Sequence, residues 1–185
     1  MALTPTTDLA LGFKAPHFQL PNAIDGAMLS SLELMQGGPT VVMFICNHCP
    51  FVVHLLDGLV AFGNDMKARG VNVIAISSND INTHPQDDFP LMKALAEERH
   101  FPFPYLYDAS QEVARAYDAA CTPDFSVFDA NQQCVYRGQF DASRPGNGIP
   151  VTGHDLRAIV NTLLDGREVS ADGQVPSMGC NIKWK

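Results

Sequence analysis

The chain has 185 residues, of which 46% are hydrophobic and 17% are charged, and its formal net charge is −8 at pH 7. This composition is typical of a folded globular protein, and the length favours a single domain over residues 1–185. The acidic balance argues against nucleic acid as a partner, because phosphate binding needs a basic face. No apolar run approaches the roughly 18 residues that would cross a bilayer, so we expect no association with a membrane.

The N-terminal residues lack a basic stretch followed by an uninterrupted apolar run, which predicts no secretory signal and a cytoplasmic location. The five cysteines are too few and too scattered for a disulfide scaffold: Cys46, Cys49, Cys121, Cys134 and Cys180. In a reducing cytosol, a close pair of cysteines is more often catalytic or metal-binding than structural.

Strands and helices alternate in the first half of the chain. The apolar run at residues 41–45 predicts a strand that is buried on both faces. Hydrophobic residues at helical spacing predict a helix from about Pro50 to Ala68, and Gly70 is placed to end it in a left-handed conformation. A second buried strand at residues 71–77 completes a β-α-β unit, which implies parallel pairing.

The next segments continue this alternation. Phe89 and Pro90 predict the start of a helix, with the proline at its first position, that runs to about His100. A short strand follows near residues 105–107, and Ser110 is placed to cap the helix after it.

The last part of the chain adds a hairpin and a helix. Residues 124–129 and 134–138 predict a β-hairpin, which adds antiparallel strands to the sheet. An amphipathic helix is predicted at about residues 155–164, followed by a tail at residues 166–185. The sequence therefore predicts an α/β protein with a mixed central sheet and helices on both faces.

Cys46 and Cys49 form a Cys-x-x-Cys pair that encloses His48 and precedes Pro50. The thiolate is the reactive form of cysteine, and the N-terminus of a helix stabilises it. Proline is favourable at the first position of a helix, and Pro50 in that position makes Cys49 the N-cap and leaves Cys46 in the preceding loop. We therefore prefer Cys49 as the nucleophile and Cys46 as the resolving thiol, with the reverse assignment as the alternative.

The helix dipole alone lowers the pKa of a thiol by roughly one unit. A protonated His48 beside Cys49 would stabilise the thiolate further, whereas a solvated His48 in the loop would not. Both roles are compatible with the sequence.

Six short segments of the chain resemble a known group of proteins: GFKAPHF at 12–18, DG at 25–26, SL at 31–32, VVMF at 41–44, CTPDFSVFD at 121–129 and YRG at 136–138. Together with the cysteine pair they resemble thioredoxin-fold redoxins, a group that contains peroxiredoxins and thioredoxin-like reductases, over roughly residues 10–165. The motif CNHCP and the ending GCNIKW are similar to a branch of uncharacterised thioredoxin-family proteins.

The resemblance implies a thioredoxin-like fold over residues 10–165, with an N-terminal β-hairpin extension. It implies a thiol–disulfide oxidoreductase with a redox-active disulfide, an antioxidant role and no cofactor. The partners would be a protein or low-molecular-weight thiol or disulfide and a thiol reductant. Pro123 would be a cis proline that holds its loop against the cysteines and presents the backbone of Thr122 to an extended substrate.

Two positions depart from the pattern of the group. Counting back from Gly70, the first cysteine of a thioredoxin-like reductase falls on Cys49, and the second falls on Val52. The peroxidatic cysteine of peroxiredoxins also falls on Val52, and their catalytic arginine falls on Pro123. Peroxidase activity is therefore the weaker alternative to disulfide exchange.

The remaining cysteines have open roles. Cys121 lies two residues before Pro123 and is either a further exchange partner or a buried, inert thiol. Cys134 in the hairpin is predicted to be structural. Cys180 in the tail either folds back as a resolving thiol or simply packs.

A metal-binding or metal-delivery protein is the main alternative from another class. Cys46, His48 and Cys49 are suitable soft ligands, and His54, Met178 or Cys180 could complete the set. The chain lacks a second cysteine pair at zinc spacing, so we predict no metal site as the primary function.

Overall fold

The computed structural model describes residues 3–185. The strands of this part of the chain are β1 (Leu3–Pro5), β2 (Gln19–Pro21), β3 (Met28–Ser30), β4 (Thr40–Phe44), β5 (Asn72–Ser77), β6 (Tyr105–Tyr107), β7 (Cys121–Thr122), β8 (Asp124–Phe128), β9 (Cys134–Gly138) and β10 (Met178–Asn181). The α-helices are α1 (Ser31–Leu34), α2 (Pro50–Ala68), α3 (Phe89–Glu98), α4 (Glu112–Ala116) and α5 (His154–Leu164), and a 3₁₀ turn covers Pro85–Asp87.

The central sheet is mixed and has the order β6-β5-β4-β8-β9. Strands β4, β5 and β6 are parallel, whereas β8 and β9 form the predicted antiparallel hairpin at the β4 side. Strands β2 and β3 pair separately as an antiparallel hairpin near the N-terminus. The mixed sheet and the N-terminal hairpin confirm the predicted architecture.

The central strand β4 is buried on both faces, as its continuous apolar run predicts. Val41 and Met43 pack into one hydrophobic cluster, which receives the buried faces of α2, α3 and α5. Val42 and Phe44 point the opposite way, into a second cluster that includes Ala114 of α4. Helices therefore cover both faces of the sheet.

Helix α2 has the predicted bounds, and Gly70 follows its C-terminus with a φ of 72°. Two other helix starts differ from the prediction. Helix α3 is capped by the side chain of Asp88, so Pro90 is its second residue. Helix α4 starts after Gln111, which has a left-handed backbone, and the hydroxyl of Ser110 accepts the N–H of Glu112 at 3.2 Å just before the helix.

The sequence predicts no strand in the tail at residues 166–185, but the structure has one there, β10. Strand β10 lies between β1 and β7 and pairs antiparallel with both. Beyond the strand, the ring of Trp184 stacks under the guanidinium of Arg115 in α4, 4.5 Å from the ring centroid. The side chain of Gln111 accepts the backbone N–H of Lys185 at 2.9 Å. The end of the chain is thus bound to α4 and the loop before it.

No helix within residues 3–185 is long and apolar enough to cross a membrane.

Candidate active site

Helix α2 begins where the proline argument predicts. Pro50 is its first residue and Cys49 is its N-cap, with an extended backbone at φ −65° and ψ 122°. The carbonyl oxygen of Cys49 accepts the N–H of Val53 at 2.9 Å, and the backbone N–H of Val52 is directed at the Cys49 sulfur. Cys46 lies in the loop between β4 and α2. The two cysteines therefore occupy different electrostatic positions, and only Cys49 lies at the helix N-terminus.

The segment of Thr122 and Pro123 faces the two cysteines. The peptide bond between these residues is cis, as the resemblance implies. Strand β8 begins just after this bond and pairs with β4, which ends just before the cysteine loop. The Cys49 Sγ lies 3.1 Å from the carbonyl oxygen of Thr122, and the Cys46 Sγ lies 3.4 Å from its hydroxyl. Thr122 therefore contacts both members of the pair.

A third thiol belongs to the same group. In the antiparallel pairing of β10 with β7, Cys180 lies opposite Thr122, and its Sγ is 3.1 Å from the Sγ of Cys49. Cys46, Cys49 and Cys180, which we call the thiol cluster, are each exposed by 2% or less. The tail folds back onto the pair, and this position of Cys180 is compatible with both of the roles that the sequence left open.

Hydrogen bonds lower the pKa of Cys49 below that of an ordinary thiol. The largest contribution is the hydrogen bond from Cys46, and smaller ones come from Cys180 and the backbone of Val52. Burial opposes this effect, because a charged sulfur loses solvation. In its neutral form, the Cys49 thiol donates to the carbonyl oxygen of Thr122. The several donors around the sulfur prevail, and Cys49 is the acidic thiol of the cluster.

The same hydrogen bonds have the reverse effect on the two donors. The hydrogen bond to Cys49 raises the pKa of Cys46, and burial and the nearby carboxylate of Asp87 raise it further. Burial raises the pKa of Cys180, as does its hydrogen bond to Cys49. One acidic thiol thus lies between two thiols that keep their protons. Such a difference favours Cys49 over its neighbours as the attacking thiol in disulfide exchange.

His48 is paired with a buried carboxylate instead of Cys49. Its Nδ1 lies 2.6 Å from Oδ2 of Asp87, a residue with a fully buried side chain. The same carboxylate accepts the side-chain amide of Asn79 and the backbone N–H of Asn47, each at 2.8 Å. The leading contacts that lower the pKa of Cys49 do not include His48. The pair of His48 and Asp87 instead fixes the conformation of the loop between the two cysteines.

Within residues 3–185, one set of potential metal ligands has its donor atoms within 4.8 Å of one another: Cys46, His48 and Asp87. This set differs from the one suggested by the sequence, because Asp87 takes the place of Cys49. Asp87 lies 39 positions after His48, and no local pattern in the sequence marks it as a partner of the histidine.

Cys121 and Cys134 lie outside the thiol cluster. The Cys121 Sγ is 3.6 Å from the carbonyl oxygen of Pro123, and burial raises the pKa of Cys121. The Cys134 Sγ is 3.5 Å from the carbonyl oxygen of Tyr136, and burial raises the pKa of Cys134 to about 12. A buried thiol with a raised pKa is a poor nucleophile at neutral pH. These environments support the structural role predicted for Cys134 and the inert alternative for Cys121.

The sheet order and the cis proline beside the start of α2 are those of a thioredoxin-fold redoxin. The family model of the AhpC/TSA family matches residues 11–140, and the chain belongs to this family. No curated protein matches the chain at a significant level.

Solved structures share the fold of the chain. The chain is similar to an uncharacterised conserved protein from Geobacillus kaustophilus, with 53% identity, a TM-score of 0.97 and coverage of 100% of this chain and 97% of that one. A hypothetical protein from Sinorhizobium meliloti has 46% identity and a TM-score of 0.95, with 98% of each chain covered. A thiol:disulfide interchange protein of the thioredoxin family from Chlorobium tepidum shares the fold, with 20% identity, a TM-score of 0.64 and coverage of 84% of this chain and 98% of that one.

Proposed function

We propose that the protein is a thiol–disulfide oxidoreductase that uses Cys49 as its nucleophile and Cys46 as its resolving thiol. The observation that carries this proposal is the asymmetry of the pair. Cys49 is the N-cap of α2 and has a lowered pKa, whereas its hydrogen-bond donor Cys46 has a raised pKa. The acidic member attacks, and the other member keeps its proton until it is needed.

The reaction has two steps. The thiolate of Cys49 attacks one sulfur of a substrate disulfide, forming a mixed disulfide and releasing the other substrate sulfur as a thiolate that takes up a proton. Cys46 then loses its proton and attacks the sulfur of Cys49. The mixed disulfide breaks, the substrate leaves fully reduced, and a disulfide joins Cys46 to Cys49. A thiol reductant restores the dithiol.

The substrate is a protein or a low-molecular-weight disulfide in the cytoplasm. Because Cys49 is fully buried under β10, this strand must leave Thr122 before a substrate reaches the sulfur. The backbone of Thr122 would then be open to pair with an extended substrate chain, in the position that β10 occupies in the structure.

Trapping with cysteine variants tests this proposal. With Cys46→Ser and Cys180→Ser combined, a small disulfide such as oxidised glutathione should form a stable mixed disulfide on Cys49, because neither neighbouring thiol is left to resolve it. With Cys49→Ser, adduct formation should fall to the low level that arises from the small fraction of unfolded molecules, in which the remaining thiols are exposed. Cys134→Ala is the matched control and should react like the wild type. Equal adduct formation by Cys49→Ser and by the Cys46→Ser, Cys180→Ser double variant, or wild-type exchange rates in both Cys46→Ser and Cys49→Ser, would refute the assignment.

Thiol-dependent peroxidase activity is the second candidate, and the acidic Cys49 supports it because a thiolate is also the form that attacks peroxide. The first turn of α2 carries Val52 where the peroxidatic cysteine of peroxiredoxins is expected, and that side chain is fully buried. Peroxide consumption measured under thiol recycling, beside insulin reduction by the same preparation, decides between the two activities. Faster turnover of peroxide than of insulin would favour the peroxidase.

Metal binding has a separate test, since the ligand atoms of Cys46, His48 and Asp87 lie close together. We expect equilibrium dialysis of the reduced protein against zinc or copper(I) to leave the metal outside. Stoichiometric binding that is lost on Asp87→Asn, and retained by Asp57→Asn at an exposed carboxylate, would favour the metal function instead.

A further inference from the structure

Strand β10 occupies the position along Thr122 that the proposed function reserves for a substrate. It pairs antiparallel with β7 and lies so close that a Cβ added to Gly179 would collide with the carbonyl oxygen of Thr122. Glycine is the residue that permits such an approach of two backbones. The strand thus meets Thr122 as an extended substrate would, but it belongs to the same chain.

The strand also carries a thiol to the nucleophile. In the register of β10 on β7, Cys180 lies opposite Thr122, which places its Sγ 3.1 Å from that of Cys49. A disulfide needs a separation of about 2.05 Å, so the two sulfurs have to approach by only ~1 Å. Cys180 faces the sulfur of Cys49 from the strand, while Cys46 contacts it from the loop.

We propose that β10 is an internal substrate and that Cys180 takes over the disulfide from Cys46. This inference rests on the proposed function, because it requires an oxidised Cys49. Cys180 loses its proton and attacks the Cys49 sulfur of the Cys46–Cys49 disulfide. The bond between Cys46 and Cys49 breaks, a bond between Cys49 and Cys180 forms, and Cys46 leaves as a thiolate that takes up a proton. The number of disulfides and protons is unchanged, so the step needs no additional oxidant or reductant.

The consequence for the site is a covalently closed state. With Cys49 joined to Cys180, β10 is tied to Thr122 and no external chain pairs there, while Cys46 is a thiol again. A thiol reductant must then cleave the bond between Cys49 and Cys180 before the next cycle. The oxidised protein accordingly exists as two disulfide isomers, one open to substrate and one closed.

The positions of lysine and arginine make the two isomers distinguishable by tryptic mapping. Cys46 and Cys49 lie on one fragment, residues 15–67, whereas Cys180 lies on another, residues 168–183. Full-length protein is oxidised with oxidised glutathione, quenched in acid, blocked with N-ethylmaleimide and digested without reduction. The isomer with the Cys46–Cys49 disulfide gives fragment 15–67 with an internal disulfide. The isomer with the Cys49–Cys180 disulfide gives the two fragments joined.

We expect joined fragments in the wild type and in Cys46→Ser, and their complete loss in Cys49→Ser. Cys134→Ala, a buried cysteine outside the cluster, should give the wild-type pattern. If the wild type gives only the internal disulfide of fragment 15–67, and Cys46→Ser gives only a glutathione adduct, the role of Cys180 is wrong and the proposed function stands. If Cys49 enters no disulfide in any protein, both are wrong. In the wild-type joined fragments, an N-ethylmaleimide label on Cys46 identifies the bond as Cys49–Cys180, so the wild type decides the role of Cys180 even if a variant fails to fold.

Discussion

The sulfur of Cys49 is subject to opposing effects. Burial destabilises its thiolate, whereas hydrogen bonds from Cys46, Cys180 and the backbone of Val52 stabilise it, and the contribution of Cys46 is the largest. The nucleophile therefore depends for its acidity on the thiol that later resolves the mixed disulfide. This coupling makes the acidity of Cys49 sensitive to substitutions at its neighbours.

Replacing Cys46 with alanine should raise the pKa of Cys49 by about one unit. A hydrogen bond to a charged group contributes ~1.5 kcal/mol, and one pKa unit corresponds to ~1.4 kcal/mol. Thiolate absorbance of the reduced protein as a function of pH measures this change. Cys180→Ala should give a smaller rise, and Cys134→Ala should give none. An unchanged pKa in Cys46→Ala would show that the hydrogen bond from Cys46 does not make Cys49 acidic.

At the residue scale, sequence reasoning was successful where one residue constrains the backbone locally. Pro50 was sufficient to place the start of α2 and the N-cap at Cys49, because the missing N–H of proline limits where a helix can begin. The partner of His48 could not be predicted from the sequence in the same way. Asp87 comes from a 3₁₀ turn far along the chain, and only the fold brings the two side chains together.

Among the secondary-structure elements, β10 has the greatest influence on the site. The strand covers the thiol cluster, pairs with β7 on one side and β1 on the other, and supplies the third sulfur. Its close approach to Thr122 depends on Gly179. Docking of the strand and reactivity of Cys49 are therefore linked through one backbone contact.

We expect Gly179→Ala to speed the alkylation of Cys49 by iodoacetamide about tenfold, because a loss of ~1.4 kcal/mol of docking free energy raises the undocked population tenfold. The matched control is Val175→Ala, which shortens an exposed side chain in the same tail and should leave the rate unchanged. Mass spectrometry of the alkylated fragment 15–67 measures the rate. An unaltered alkylation rate in Gly179→Ala would mean that β10 does not control access to the sulfur.

The sequence predicted the long elements well and missed β10 for a physical reason. Helix α2 and strand β4 have enough residues for a hydrophobic period to be recognised. Strand β10 has only four residues, Met178–Asn181, two of which are glycine and asparagine. Its conformation is set by pairing with β1 and β7 and not by its own propensity, so no local pattern indicates it.

On the scale of the whole molecule, the acidity of Cys49 contributes to stability. Its pKa is lowered on folding, so between that value and ~8.5 the unfolded chain holds a proton that the folded chain lacks. Stability from this group is present above the unfolded pKa and is lost as the pH falls through the folded pKa. Asp124 acts in the opposite sense, because burial raises its pKa to about 6, and its contribution is lost as the pH rises through that value.

A comparison of reduced wild type with Cys49→Ser isolates the contribution of this thiolate. We expect the difference in unfolding free energy, wild type minus variant, to increase with pH up to ~8 and to shrink under acidic conditions. Asp124 is present in both proteins, so its effect cancels. Urea denaturation with excess reductant at a series of pH values measures the difference. If the unfolding free energies of the wild type and Cys49→Ser differ by the same amount at every pH, Cys49 is not acidic in the folded state.

The contact between Trp184 and Arg115 gives the molecule an intrinsic optical signal. Trp184 is the only tryptophan of the chain, and it follows β10 closely enough that the strand cannot leave Thr122 without disturbing the stacked guanidinium. Trp184 is already 38% exposed, so we expect undocking of the strand to change its emission through loss of the stacked guanidinium. Stopped-flow fluorescence on unlabelled protein can therefore follow opening and closing of the site in real time, with no background from a second indole.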